Sequence, residues 1–143
     1  MSELNHPAAT GLPVLEHAEL ARSFAYVGGA WVGGSDKTTL TVTDPATGAT
    51  LAEVARLSGA DSRLAVDAAH SAWSEWAALL PQERSTLLRR WFELMIEHRE
   101  DLARIMTAEQ GKPISESRGE IDYAAAFLEF YAEEARRPNI EGI

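Results

Sequence analysis

The residues in this chain with the chemistry to act are few and scattered. The four histidines, His6, His17, His70 and His98, form no pair at the short, same-face spacing that metal ligation requires, so solvent-facing or capping roles are expected. Glu129, Glu133 and Glu134 lie close together in sequence. Paired carboxylates do acid–base work only where burial drives their pKa values apart, and Arg136 and Arg137 beside these three indicate a solvated face. The glycine-rich stretch 28–34 has two glycines, Gly29 and Gly34, at phosphate-loop separation. Ser35 and Asp36 follow where such a loop needs Lys and Ser or Thr, so nothing there reaches a phosphate. There is no cysteine, which excludes a thiol nucleophile, a disulfide and a zinc-thiolate site within these residues. No G-x-S-x-G elbow supports serine catalysis.

The elements that must position any site fall into two blocks. Residues 1–23 mix Pro, Ala, His and Glu and read as an arm, with a short helix over Leu15–Ser23. Tyr26-Val27-Gly28-Gly29-Ala30-Trp31-Val32 is two apolar arms around a Gly-Gly pair, the pattern of a hairpin with a primed turn. Thr39 to Thr43 alternates as a strand, Asp44-Pro45-Ala46-Thr47-Gly48 is turn chemistry, and a second strand is expected over Thr50–Leu57. The pattern changes at Ser58, which with Asp61 forms a capping-box pair opening a helix. Leu64, Ala65, Ala68, Ala69, Ala72, Trp73, Trp76 and Leu80 make its stripe. Pro81 starts a second helix running to about His98, with Leu87, Leu88, Trp91, Phe92 and Met95 on its apolar side. A third is expected over Asp101–Gln110 and a fourth over Ser115–Arg137, ended by Pro138 with Arg136 and Arg137 complementing its dipole. Between them Gly111 can take positive φ and Pro113 cannot continue the third helix, so Glu109-Gln110-Gly111-Lys112-Pro113 is a forced turn. Strands thus occupy 24–57 and helices 58–137, an α/β chain with a β-hairpin and strand segment followed by an α-helical one. The Trp73/Trp76 and Trp91/Phe92 aromatics are expected in the core. Tyr123 and Phe127, one turn apart on the fourth helix, read as core or as an interface to something else.

The bulk numbers set the class. With 143 residues, 45% of them hydrophobic and 24% charged, the chain can build one soluble domain. A net charge of −9 argues against nucleic acid or an anionic membrane as partner. No apolar run is long enough to span a bilayer, and Met1–Thr10 carries no signal-peptide pattern, so a cytoplasmic location is expected.

Three features in order resemble one family. They are the Tyr26–Val32 hairpin followed by Thr43-Asp44-Pro45-Ala46-Thr47-Gly48, the helix from Pro81-Gln82-Glu83-Arg84-Ser85 through Leu87-Leu88-Arg89-Arg90-Trp91, and a third, longer run. That run comprises Met106–Pro113, then Glu120-Ile121-Asp122-Tyr123, then Phe130-Tyr131-Ala132-Glu133-Glu134-Ala135-Arg136-Arg137. Together these resemble the N-terminal part of NAD(P)-dependent aldehyde dehydrogenases over residues 24–143, with the greatest likeness to succinate-semialdehyde dehydrogenases. The resemblance implies the first part of that fold, with an incomplete Rossmann-like cofactor domain. It implies a complete enzyme that oxidises a small aldehyde with NAD or NADP through a cysteine thiolate, and that forms a homo-oligomer. The family's catalytic cysteine, general-base glutamate, oxyanion asparagine and cofactor strands fall beyond these residues. The chain therefore reads as a truncated product or gene fragment, inactive and without cofactor by itself. Carried over residue by residue, Tyr123 faces the substrate tunnel with Phe127 near it. Val42, Thr43 and Glu109 match positions whose main-chain carbonyls hold a monovalent cation in some relatives, and oxygen ligands suit such a hard ion.

A second class of reading stands beside this one: a non-catalytic helical interaction module derived from such an enzyme. The two diverge on surface. A segment of a larger enzyme leaves an apolar face open, because a helix apolar on more than one side must be covered on more than one side. A module melts cooperatively and binds little apolar dye.

Overall fold

A computed structural model describes residues 11–137. His6, the first ten residues of the arm, Pro138 and the tail 139–143 lie outside the described residues. The remainder of the arm contains a single 3-10 turn, Ala18–Leu20, in place of the helix expected over Leu15–Ser23.

Strands β1 (Ala25–Val27) and β2 (Ala30–Val32) pair antiparallel, with Tyr26 opposite Trp31. Gly28 and Gly29 both hold positive φ, at 57° and 85°, as a primed hairpin turn demands. The glycine-rich stretch is thus a hairpin and not a phosphate cradle. Gly34 serves close approach instead: a Cβ there would lie 2.2 Å from the Arg56 carbonyl oxygen. A second antiparallel pair joins β3 (Thr39–Thr43) to β4 (Thr50–Ala55). Its register skips Leu51, because Val42 faces Ala52 while Thr43 faces Thr50, and the extra residue turns inward and is buried. The connecting turn is tied by the Asp44 carboxylate, which accepts from the Ala46 N–H at 2.8 Å and the Thr47 hydroxyl at 3.0 Å.

Helix α1 (Gly59–Ala78) opens on the expected capping box: the Asp61 N–H donates to Ser58 Oγ at 3.2 Å, and the Ser58 N–H donates back to Asp61 Oδ2 at 2.9 Å. Helix α2 (Pro81–Glu97) has proline at N1, and Glu83 accepts from the Leu80 N–H at 2.7 Å. Helix α3 (Arg99–Gln110) begins two residues before the expected Asp101, because His98 caps the end of α2 and the start of α3 at once. Helix α4 (Ile114–Glu134) stops short of the expected Arg137. The N–H groups of Arg136 and Arg137 instead close a final turn on the Glu133 and Glu134 carbonyls, at 3.1 and 3.0 Å.

Helices α2, α3 and α4 pack together, and the apolar residues they bury are Ala103, Ala125 and Ala132, with Ile121 the one large aliphatic, beside the polar Ser85, Asp101 and Ser117. The expectation that the tryptophans fill the core is corrected. Trp73 is 63% exposed and Trp91 58%, while Trp76 and Phe92 are half-buried. The α1 stripe fails as a core face because α1 buries no residue at all, and its main packing contact is with strand β1. Its amphipathic pattern is real, but among the described residues no layer lies opposite it.

Candidate functional site

Two faces of α4 divide the work. One carries Ser117, Ile121, Ala125 and Ala132, all buried. The other carries Tyr123, Ala126, Phe127, Phe130 and Tyr131, which line an open groove of about 310 Å³. The spacing i, i+4, i+7, i+8 places those aromatics on one stripe. Tyr123 meets Phe127 edge-on with centroids 4.9 Å apart, and Phe130 meets Tyr131 edge-on at 5.3 Å. Tyr123 is 68% exposed and Phe127 46%. The core alternative for this pair is corrected: within these residues they are surface, because the helix turns its small residues inward so that α2 and α3 can approach. The groove is almost wholly apolar, so it suits a hydrocarbon chain or another apolar surface and offers no catalytic group of its own.

Ion pairs link α4 to α2 and α3. The Arg99 guanidinium donates to both Asp122 oxygens at 2.5 and 2.6 Å, next to Tyr123. Arg118 holds Glu100 through two donors, at 2.9 and 2.8 Å. These hydrogen bonds hold the Asp122 and Glu100 carboxyls below their ordinary range. Arg89 of α2 reaches Glu129 at 2.9 Å and also pairs with Glu133, and Lys112 pairs with Glu120. The carboxylate trio of the sequence therefore belongs to two partners. Glu129 and Glu133 tie α4 to α2 through Arg89, and Glu134 pairs with Arg137 at 3.0 Å. No acid–base pair is formed.

The three cation-site positions lie on elements that meet. The α3–α4 turn rests on the β3–β4 turn, since a Cβ on Gly111 would stand 2.8 Å from Pro45 Cγ. Val42 and Thr43 flank the register irregularity, where ladder geometry is interrupted, and the Glu109 carbonyl is among the last of α3, where carbonyls lack intrahelical partners. That chemistry fits a hard cation held by main-chain oxygens. No cluster of three or more acidic, histidine or cysteine side chains able to hold a metal exists among the described residues.

One polar cluster escaped the sequence. Asp101, 2% exposed, accepts from the backbone N–H groups of Glu16 and His17 at 3.0 and 2.8 Å and lies 3.3 Å from His17 Nδ1. Burial pushes its carboxyl up, and the hydrogen bonds from the arm with the nearby Arg104 more than offset this, leaving it below the usual range. His17 and His98 are in edge contact, centroids 4.4 Å apart. They are 81 positions apart in sequence, beyond the reach of spacing rules; His70 is exposed on α1.

Comparison with known proteins places this arrangement. The chain belongs to the aldehyde dehydrogenase family, whose profile it matches over residues 31–143. Among its relatives is the glutarate-semialdehyde dehydrogenase of Pseudomonas putida, 51% identical over 123 residues, 86% of this chain and 26% of the relative. The NADP(+) succinate-semialdehyde dehydrogenase of Escherichia coli is 46% identical over the same shares of both chains. A crystal structure of succinate-semialdehyde dehydrogenase from Burkholderia pseudomallei superposes with a TM-score of 0.83 at 41% identity, over 90% of this chain and 28% of that one. The strands-then-helices architecture is thus the N-terminal segment of the family's fold, and the chain spans about a quarter of the length of these relatives. No helix among the described residues is long and apolar enough to cross a membrane.

Proposed function

We propose that this chain forms the opening segment of an NAD(P)-dependent semialdehyde dehydrogenase that converts a short ω-carboxy aldehyde, succinate or glutarate semialdehyde, to the dicarboxylate. The observation that carries this reading is the conjunction of half-identity to semialdehyde dehydrogenases with an α4 face left open. Tyr26, Leu64, Trp73, Trp91, Phe127 and Phe130 are among the large apolar side chains left exposed. Such a surface suits polypeptide still to be packed against it.

In this reading Tyr123 and Phe127 form one wall of the aldehyde's path. Their edge-to-face rings exclude water and orient the carbon chain, while α2 and α3 hold α4 from behind. A nicotinamide cofactor would supply the hydride acceptor and a cysteine elsewhere in the complete enzyme the nucleophile, since these residues contain no cysteine. Val42, Thr43 and Glu109 offer carbonyl oxygens to a monovalent cation that would pin the β3 turn to the end of α3. The complete protein is a cytoplasmic homo-oligomer without a nucleic-acid or membrane partner. The test is nicotinamide reduction by the longest natural product of the gene, with each semialdehyde and each of NAD and NADP. Turnover by that product, with none from residues 1–143, is expected. Absence of turnover with both aldehydes, or turnover by 1–143 alone, overturns the proposal.

A further inference from the structure

The polar cluster at the α2–α3 junction has no part in the chemistry above. Asp101 occupies the first turn of α3, yet both of its oxygens face the N-terminal arm. Arg104, one turn on, donates to the Val14 carbonyl at 3.3 Å and stands 3.5 Å from Asp101 Oδ1. Residues 14–17 are therefore held by polar contacts more than by apolar burial: Val14 is 90% exposed, and Glu16 is exposed too. Behind them His98 has a buried Nδ1 with no hydrogen-bond partner among the described residues, and its ring meets that of His17.

We propose that this cluster is an acid-released latch: the arm is docked while the His17–His98 pair carries at most one proton, and a second proton frees it. One charge on the pair has a partner in place, because His17 Nδ1 lies 3.3 Å from Asp101 Oδ2. The second has nowhere favourable to go. An N–H at His98 Nδ1 points into a buried space without an acceptor, beside a ring already charged. The charged neighbours do not relieve it. Arg104 of α3 is cationic, Asp101 is already engaged by the arm, and Glu100 is taken by Arg118. Glu97 at the end of α2 lies 4.0 Å from Arg90, and Glu16 of the arm is exposed. Undocking residues 14–17 removes His17 and opens His98 to water, which cures both faults. The release is local, because the chain stays tied to strand β4 on both sides of it: the Gly11 N–H donates to the Leu51 carbonyl at 3.1 Å, and the Ala55 N–H donates to the Ser23 carbonyl at 2.7 Å. The device is independent of the catalytic reading, because it involves no residue of the aromatic groove.

The test is amide hydrogen exchange on the full chain between roughly pH 8 and pH 5, the interval in which imidazoles change charge, with intrinsic rates corrected for pH. The expected result is loss of protection at Glu16 and His17 by about tenfold or more on acidification, with Ile121 and Ala125 in α4 unchanged. His98→Gln and His17→Gln each leave a single imidazole and should abolish the acid response. Asp101→Asn should release the arm at both pH values. Equal arm protection at the two pH values in the unsubstituted chain overturns the latch. So does a wild-type acid response in either glutamine variant, or arm loss that comes only with loss at Ile121.

Discussion

Replacing Gly111 with alanine tests the contact that orients α4, and its cost can be worked from two separate terms. Gly111 caps α3 with φ 72° and ψ 9°, and its N–H donates to the Thr107 carbonyl at 2.8 Å. An L-residue in this left-handed region costs about 1–2 kcal/mol. The second term is steric. The new methyl would lie 2.8 Å from Pro45 Cγ, inside any real carbon contact, and Pro45 is a rigid ring in a turn tied by Asp44. Forced displacement of this sort costs about 1–3 kcal/mol. Gly111→Ala should therefore destabilise by about 3 kcal/mol, lowering the melting temperature by roughly 10 °C. Urea unfolding followed by far-UV circular dichroism measures it, with a two-state transition checked by coincidence with tryptophan fluorescence. Pro45→Ala in the same background should recover about 1 kcal/mol or more, because it removes the steric term and leaves the backbone one. Gly59→Ala is the control: nothing lies within 4 Å of a Cβ there, and the residue opens α1 with ordinary φ. A Gly111→Ala midpoint within about 0.5 kcal/mol of the parent would refute the reasoning. Loss without recovery on Pro45→Ala would assign the whole effect to the backbone.

Three further outcomes are expected. The Asp61 carboxyl is lowered from 3.8 to about 2, chiefly by the Ser58 hydroxyl and N–H with help from Ser35. Because the folded value is the lower one, its stabilisation is complete above 3.8 and is lost as pH falls through about 2; Asp61→Asn should flatten that limb of the urea midpoint against pH. Thr107→Val leaves the buried Ser117 hydroxyl without its 2.8 Å partner and should cost about 1–3 kcal/mol in the same unfolding assay. Tyr123→Ser combined with Phe127→Ser should lower anilinonaphthalene sulfonate fluorescence of the 143-residue chain while leaving its urea midpoint nearly unchanged. In the complete enzyme the same pair should raise KM for the semialdehyde more than it lowers kcat, if the groove binds the carbon chain in ground and transition states alike.

Local rules made the elements legible. Gly28-Gly29, the Ser58–Asp61 box, Pro81, and Gly111 with Pro113 each act within four residues, and each does in the structure what its chemistry demands. The errors came where an outcome depends on what lies opposite. The α1 stripe and Trp91 have the periodicity of core faces, and periodicity says only that a side is apolar. Whether that side is buried depends on a partner layer, and here the interior is assigned to the small residues that let three helices close up. Resemblance reached further than periodicity: it pointed to the family whose profile the chain matches over residues 31–143. Even so, Asp101 and the His17–His98 contact stayed invisible. They join the arm to α3 across more than eighty residues, and no spacing rule operates at that range.

The same division explains why α4 carries the candidate site. A helix whose inner face were built from leucines would stand farther from its neighbours and could be held by burial alone. With Ser117, Ala125 and Ala132 inside beside Ile121, α4 sits close with modest apolar burial, and Arg89, Arg99, Arg118 and the Thr107–Ser117 hydroxyl pair add directional contacts to it. Directional contacts of that kind fix rotation about the helix axis, which nondirectional packing of small side chains does weakly. Rotation is the quantity that matters for Tyr123 and Phe127: a turn of one residue, about 100°, would swing both rings from the open groove toward α2 or α3. A small-residue interface braced by ion pairs therefore suits a helix that must present an aromatic wall at a set angle to whatever lies across from it.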